Sequence, residues 1–172
     1  AVLPAQYVSQ MSYTDKLARP DEKSYYYRLL VVDSCGTNAF LSNVGRTIYL
    51  TATPKMDLTN ILEWNYYEGW LGGVNSYNLY RSVDEGNLQW LVTLPANQNS
   101  YTDDVSEYME TNGKFCYYIE AIEDKAGNYY NVNDTSISNA VCATQTPRLY
   151  IPNAFRPGSP YNSLFKPVNV FA

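Results

Sequence analysis

From Arg46 onward apolar and polar positions alternate with a period of two, broken at short intervals by Gly, Pro, Asn and Asp. This pattern predicts strands over residues 47–52 (ended by Pro54), 60–64, 76–81, 88–94, 100–103, 115–123 and 137–144. Leu62 and Trp64 share one face of the second run, and Asp84-Glu85-Gly86-Asn87 turns the third run into the fourth. Residues 104–110 leave room for one short helical turn, and no stretch carries convincing helical periodicity. Short strands at this spacing predict an all-β sandwich over residues 46–146.

The first 45 residues repeat part of that module. Leu3-Pro4-Ala5 recurs as Leu94-Pro95-Ala96, an offset of 91, and Ser12-Tyr13-Thr14-Asp15 as Ser100-Tyr101-Thr102-Asp103, an offset of 88. The run Tyr25 to Asp33 aligns with Phe115 to Glu123 at an offset of 90, and Ser42-Asn43 with Ser138-Asn139 at 96. The drift places insertions between the matched blocks, where loops tolerate them. Such a period exceeds that of a helical solenoid and suits a tandem β-sandwich. Residues 1–45 therefore read as the last strands of a preceding module, and the chain as a slice of a longer modular protein.

Composition agrees and narrows the chemistry. The chain of 172 residues has 18 tyrosines and no histidine, and 12 basic against 17 acidic residues give a net charge of −5. Tyrosine, threonine, valine and isoleucine suit a pleated surface. An acidic chain without a basic run lacks the electrostatic footprint for nucleic acid. No apolar run reaches the length of a membrane span, so no direct membrane insertion is expected.

The three cysteines divide unevenly. Cys116 and Cys142 fall in the last two runs of the complete copy, and an antiparallel hairpin around loop 124–135 would let them face each other. Direct pairing would also set Ile122 opposite Ser136. The expected result is a cross-strand disulfide and an oxidising compartment; the alternative is two free buried thiols. Cys35 lies in the corresponding loop of the first copy, with any partner expected in the absent half-module.

At this point the residues resemble the fibronectin type III module. Leu62-x-Trp64, Tyr77-x-Leu79-Tyr80-Arg81, Tyr101-Thr102-Asp103, Tyr117-x-Ile119-x-Ala121 and Ser138-Asn139 carry the resemblance. It implies an immunoglobulin-like sandwich with Trp64 as central core filler and Tyr117 placed to make the corner hydrogen bond of such folds. The expected disulfide departs from ordinary members of the family.

A second resemblance covers residues 147–172. Ile151-Pro152-Asn153-Ala154-Phe155-x-Pro157, followed by Phe165-Lys166-Pro167, is similar to the opening of the type B C-terminal sorting domain of type IX secretion cargo. That domain, also called the gliding-motility-associated C-terminal domain, belongs to Bacteroidetes-type bacteria. The family's acidic Gly-Asp-Gly-x-Asn-Asp loop is replaced here by Gly158-Ser159-Pro160-Tyr161-Asn162-Ser163, which removes the carboxylates a cation would need. The resemblance implies export through the periplasm to the cell surface. The implied partners are the type IX translocon, outer-membrane attachment proteins and neighbouring modules of the same chain.

Catalysis has little to stand on. Without histidine there is no Ser-His-Asp or Cys-His arrangement and no imidazole metal site. The pairs Asp84-Glu85, Asp103-Asp104 and Glu123-Asp124 read as solvated turn ends, and no cofactor or metal is expected. Trp70, on a Gly-bordered loop, is the best candidate for recognition by stacking. Packing of the inter-module joint by Trp70, Tyr129 and Tyr130 is the favoured alternative. The sequence thus predicts a non-catalytic stalk and sorting region, of an adhesin or gliding-motility surface protein in the first instance. An accessory region of a secreted hydrolase and a resident translocon component are the other readings.

Overall fold

The computed structural model describes residues 12–146, the backbone of 148–150 and 168–170, and Pro160. Short strands come first: β1 (Tyr26–Tyr27), β2 (Leu30–Val32), β3 (Asn38–Leu41) and β4 (Gly45–Arg46). The complete copy follows with β5 (Leu50–Pro54), β6 (Thr59–Trp64), β7 (Val74–Val83), β8 (Gln89–Pro95) and β9 (Ser100–Asp104). It closes with β10 (Lys114–Glu123), β11 (Thr135–Ile137) and β12 (Val141–Thr144). A 3-10 turn, Ser106–Tyr108, occupies the place predicted for it, and a second, Lys125–Gly127, lies in the loop after β10. The fold is all-β and immunoglobulin-like. A sheet β5-β6-β9 packs on a sheet β8-β7-β10, whose far edge is shared by β11 and β12.

Alternation puts the apolar set inside. Leu50, Leu62 and Trp64 from one sheet meet Tyr77, Leu79, Phe115, Tyr117, Ile119 and Ala121 from the other, all buried. Each large side chain of this kind contributes about 1.5–3 kcal/mol by leaving water. Trp64 fills the centre edge-on to Tyr77, at 5.8 Å between rings.

Two strands differ from the sequence pattern for the same reason: polar side chains replace backbone partners. β5 begins at Leu50 because the Asn65 amide takes the backbone groups before it: Tyr49 N donates to Asn65 Oδ1 and Asn65 Nδ2 donates to Thr47 O. The run predicted over 137–144 is split. Ile119 N donates to Ser138 Oγ and Ser138 N to Ile119 O, while the Asn139 amide takes both backbone groups of Leu50. The split moves the register by one, so Cys116 faces Cys142 but Ile122 faces Thr135, not Ser136. The Cys116–Cys142 disulfide is formed. Cys35 is a free, exposed thiol.

The first copy reproduces part of this hydrogen bonding. Leu29 N donates to Ser42 Oγ and Ser42 N to Leu29 O, the counterparts of Ile119 and Ser138. Tyr27 OH donates to Asp15, as Tyr117 OH does to Asp103. The cross-strand pair Tyr26–Arg46 stands where Cys116–Cys142 stands in the second copy, with the Arg46 guanidinium 5.3 Å from the Tyr26 ring. Beyond the sandwich, β13 (Arg148–Tyr150) pairs antiparallel with β14 (Val168–Val170).

Candidate functional site

The second copy is locked by a polar network between its sheets. Arg81 on β7 donates from Nη1 to both oxygens of Asp103 on β9, at 2.8 and 3.0 Å. Its Nη2 donates to Tyr108 OH at 2.6 Å. Tyr117 OH donates to Asp103 Oδ2 at 2.7 Å and accepts from Asn60 Nδ2 at 2.7 Å, and Gln145 Nε2 donates to Asn60 Oδ1. Burial, reinforced by the adjacent Asp103 carboxylate, holds the Tyr117 phenol far above its ordinary range. A buried ion pair of this kind needs further hydrogen bonds to offset desolvation, and the Tyr117 and Tyr108 hydroxyls supply them. Asp103 is therefore no solvated turn end, and its carboxylate is not free for a cation. The other paired carboxylates also have local work: Asp104 caps Ser106 N, Asp124 caps Ala126 N, and Asp84 accepts from Asn112 N and Lys114 N.

The joint between the copies is the second site. Thr47 alone separates β4 from Ile48, which is buried in the second core. Tyr25 N donates to Thr47 Oγ1 at 2.8 Å, and Arg46 N donates to Glu68 O at 2.7 Å. Arg46 Nη1 pairs with Glu68 Oε1 at 3.0 Å, and Asn43 Nδ2 donates to Gly69 O. Gly69 has φ +140°, and a Cβ there would sit 2.9 Å from Gly45 Cα, so two glycines let the chains touch.

Trp70 packs against Tyr67 with ring centroids 4.1 Å apart. With Tyr67, Tyr27, Leu29, Asn43 and Gly69 it lines an open hollow beside the joint. Tyr77 OH accepts from Tyr67 N and ties this loop to the core.

Tyr129 and Tyr130 do not join that packing. They are 92% and 74% exposed and touch each other edge-on. Their loop does approach the Trp70 loop, but through Gly72 against Gly127, while Asn128 bonds Val132 and turns the tyrosines outward. The sequence-based grouping of Trp70 with both tyrosines is corrected to Trp70 with Tyr67.

The sorting-motif residues Ile151, Pro152, Asn153, Ala154, Phe155, Pro157, Phe165, Lys166 and Pro167 lie outside the described residues. The β13–β14 pair brackets them. What sequence reasoning missed is the outer face of the larger sheet. There Tyr80 and Tyr118 stack at 4.6 Å, Tyr80 OH donates to Glu120, and Trp90 stands opposite Tyr80 on β8. Period-two alternation contained this row, since Tyr80 and Tyr118 both fall on polar-face positions.

No protein-family model matches the sequence, and no curated protein matches it. Among solved structures it is similar to the pectate lyase Pel3 from Pectobacterium carotovorum, at 17% identity and a TM-score of 0.41. That likeness covers 56% of this chain and 27% of the lyase. It is also similar to a beta-1,2-glucanase from Parabacteroides distasonis, at 21% identity and a TM-score of 0.38, over 62% of this chain and 13% of the glucanase. The chain thus spans a small part of either protein.

Proposed function

We propose that this chain is the non-catalytic stalk and sorting region of a large secreted or cell-surface protein exported by a type IX secretion system. In this reading the parent is an adhesin or gliding-motility surface protein. The observation that carries the reading is Ile151-Pro152-Asn153-Ala154-Phe155 with Pro157 and Phe165-Lys166-Pro167 behind it. Ile151, Phe155 and Phe165 are apolar residues of a kind that a sorting receptor's groove takes up. Two features fit the reading. The Cys116–Cys142 disulfide suits an oxidising compartment outside the cytoplasm. A joint of one residue, clamped by Glu68, Gly69 and Thr47, suits a stiff spacer that transmits force between fibronectin type III-like modules.

The test replaces Asn153 and Phe155 together in the full-length gene of a type IX-competent host. The variant should accumulate in the periplasm while the parent reaches the surface. Unchanged surface delivery would overturn the sorting role.

A further inference from the structure

Two arginines of this chain each lie over a tyrosine ring and pair with a carboxylate at the same time. Arg81 has its Cζ 4.6 Å from the Tyr108 ring and its Nη1 2.8 Å from Asp103. Arg46 has its Cζ 5.3 Å from the Tyr26 ring and its Nη1 3.0 Å from Glu68. A guanidinium suits both contacts at once, because its edge donates to oxygen while its flat face lies on the ring.

The outer face of the larger sheet, all five of whose strands are described, holds the other two parts of such a group without the arginine. Tyr80 on β7 faces Tyr118 on β10, and Glu120 follows two residues on, between Asn78 and Ile137 of the flanking strands. Glu120 Oε2 accepts from Asn78 Nδ2 at 3.4 Å and from Tyr80 OH at 3.2 Å, both long contacts. Among the described residues nothing donates to its Oε1, and no basic side chain pairs with it. Burial, with the Glu120 charge close by, raises both the Tyr80 and the Tyr118 phenol above the ordinary range.

The carboxylate is also held in position. Trp90 Nε1 donates to Thr93 Oγ1, Thr93 Oγ1 to Asn78 Oδ1, and Asn78 Nδ2 to Glu120, a chain that crosses three strands. Trp90 and Ile137, at the two ends of this row, are 61% and 59% exposed. A metal ion would need several oxygen ligands, and Glu120 is the one carboxylate here. An anion would be repelled. An organic cation with N–H donors for Oε1 and a flat face for the rings fits both the charge and the shape.

We infer that this face binds an arginine side chain of a protein partner, the guanidinium pairing with Glu120 beside Tyr80 and Tyr118 and the methylene stem lying against Ile137. The inference does not depend on the sorting reading.

The experiment titrates N-acetyl-arginine amide into the isotopically labelled full chain and follows its backbone and indole N–H resonances. Saturable shifts at Tyr118, Glu120, Ile137 and the Trp90 indole are expected. Glu120→Gln should weaken binding about tenfold, as loss of a charge-assisted hydrogen bond does. Glu107→Gln, on the 3-10 turn outside this face, should leave it unchanged. N-acetyl-citrulline amide, which keeps the shape without the charge and leaves the protein untouched, should not bind. Absence of saturable shifts, binding unmoved by Glu120→Gln, or equal binding of the citrulline amide would overturn the inference. Equal binding of N-acetyl-lysine amide would overturn the choice of a guanidinium. A neutral glucan oligosaccharide saturating the same resonances while arginine does not would overturn it in favour of a sugar platform.

Discussion

The two hairpins of this chain have the same hydrogen-bond skeleton and opposite environments. Leu29 with Ser42 and Tyr27 with Asp15 match Ile119 with Ser138 and Tyr117 with Asp103 atom for atom. Around the second hairpin lie a facing sheet, a flanking strand, a buried Arg81–Asp103 pair and a disulfide. Around the first, the facing side chains meet solvent, and a Tyr26–Arg46 stack occupies the disulfide position. The difference separates what a strand pair fixes from what its neighbours stabilise. Backbone pairing and a Ser side chain set the local geometry in both. Among the described residues, burial, which supplies most of the stability, surrounds only the second.

The comparison breaks most sharply at the two matched carboxylates, Asp103 with its arginine and Asp15 with a tyrosine and a backbone N–H. Arg81→Gln leaves Asp103 buried without its cation and should cost about 3–5 kcal/mol in chemical denaturation. Asp15→Asn, at the half-exposed counterpart, should cost less than about 1 kcal/mol. If the two variants lose equal stability, the first copy is closed in solution and the comparison fails.

Next in size are the inner-face truncations. Ile119→Ala removes a fully buried side chain and should cost about 2–5 kcal/mol, with a cavity left behind. Leu29→Ala, exposed, should fall within about 0.5 kcal/mol of the parent. Urea midpoints for the pair decide whether burial differs as described.

The disulfide position gives the smallest contrast. Reduction of Cys116–Cys142, which spans 26 residues, should cost roughly 3 kcal/mol by releasing the unfolded chain. Installing the equivalent bridge with Tyr26→Cys and Arg46→Cys should remove two further hydrogens from the intact mass without moving the second copy's melting temperature. Failure of that second bridge to form would show that the matched register of the two hairpins is not shared.

Much of this could be read from the chain. Alternation located the strands of the second copy up to β10, because a sandwich buries one face of each strand and the period of two records which, but it read β11 and β12 as a single run. The repeat in Tyr25–Asp33 and Ser42-Asn43 foretold the twin hairpins, since the residues that recur are those whose side chains make the recurring bonds. The register beyond Cys116 was not legible. It depends on Ser138 and Asn139 taking backbone partners from Ile119 and Leu50, and Leu50 lies 89 residues away. Nor was the role of Asp103 legible. Beside Asp104 it looked like a turn carboxylate, and only the packing of β7 on β9 brought Arg81 to it.

The candidate site divides in the same way. Cys116 and Cys142 could be paired from strand spacing alone, whereas Trp70 could be placed only on a loop. Gly69 against Gly45 and Glu68 against Arg46 decide that this loop clasps the preceding copy, and neither contact leaves a periodic trace. Tyr129 and Tyr130 show the converse. Aromatic residues invite a packing role, and the turn built by Asn128 sends both into water. By itself the sequence determined the strands, the repeat and the disulfide, because these rest on local pattern and recurrence. The tertiary structure alone decided which carboxylate is buried and what holds the joint. Those outcomes depend on groups far apart in the chain meeting in space, and their energies arise only when water is excluded between them.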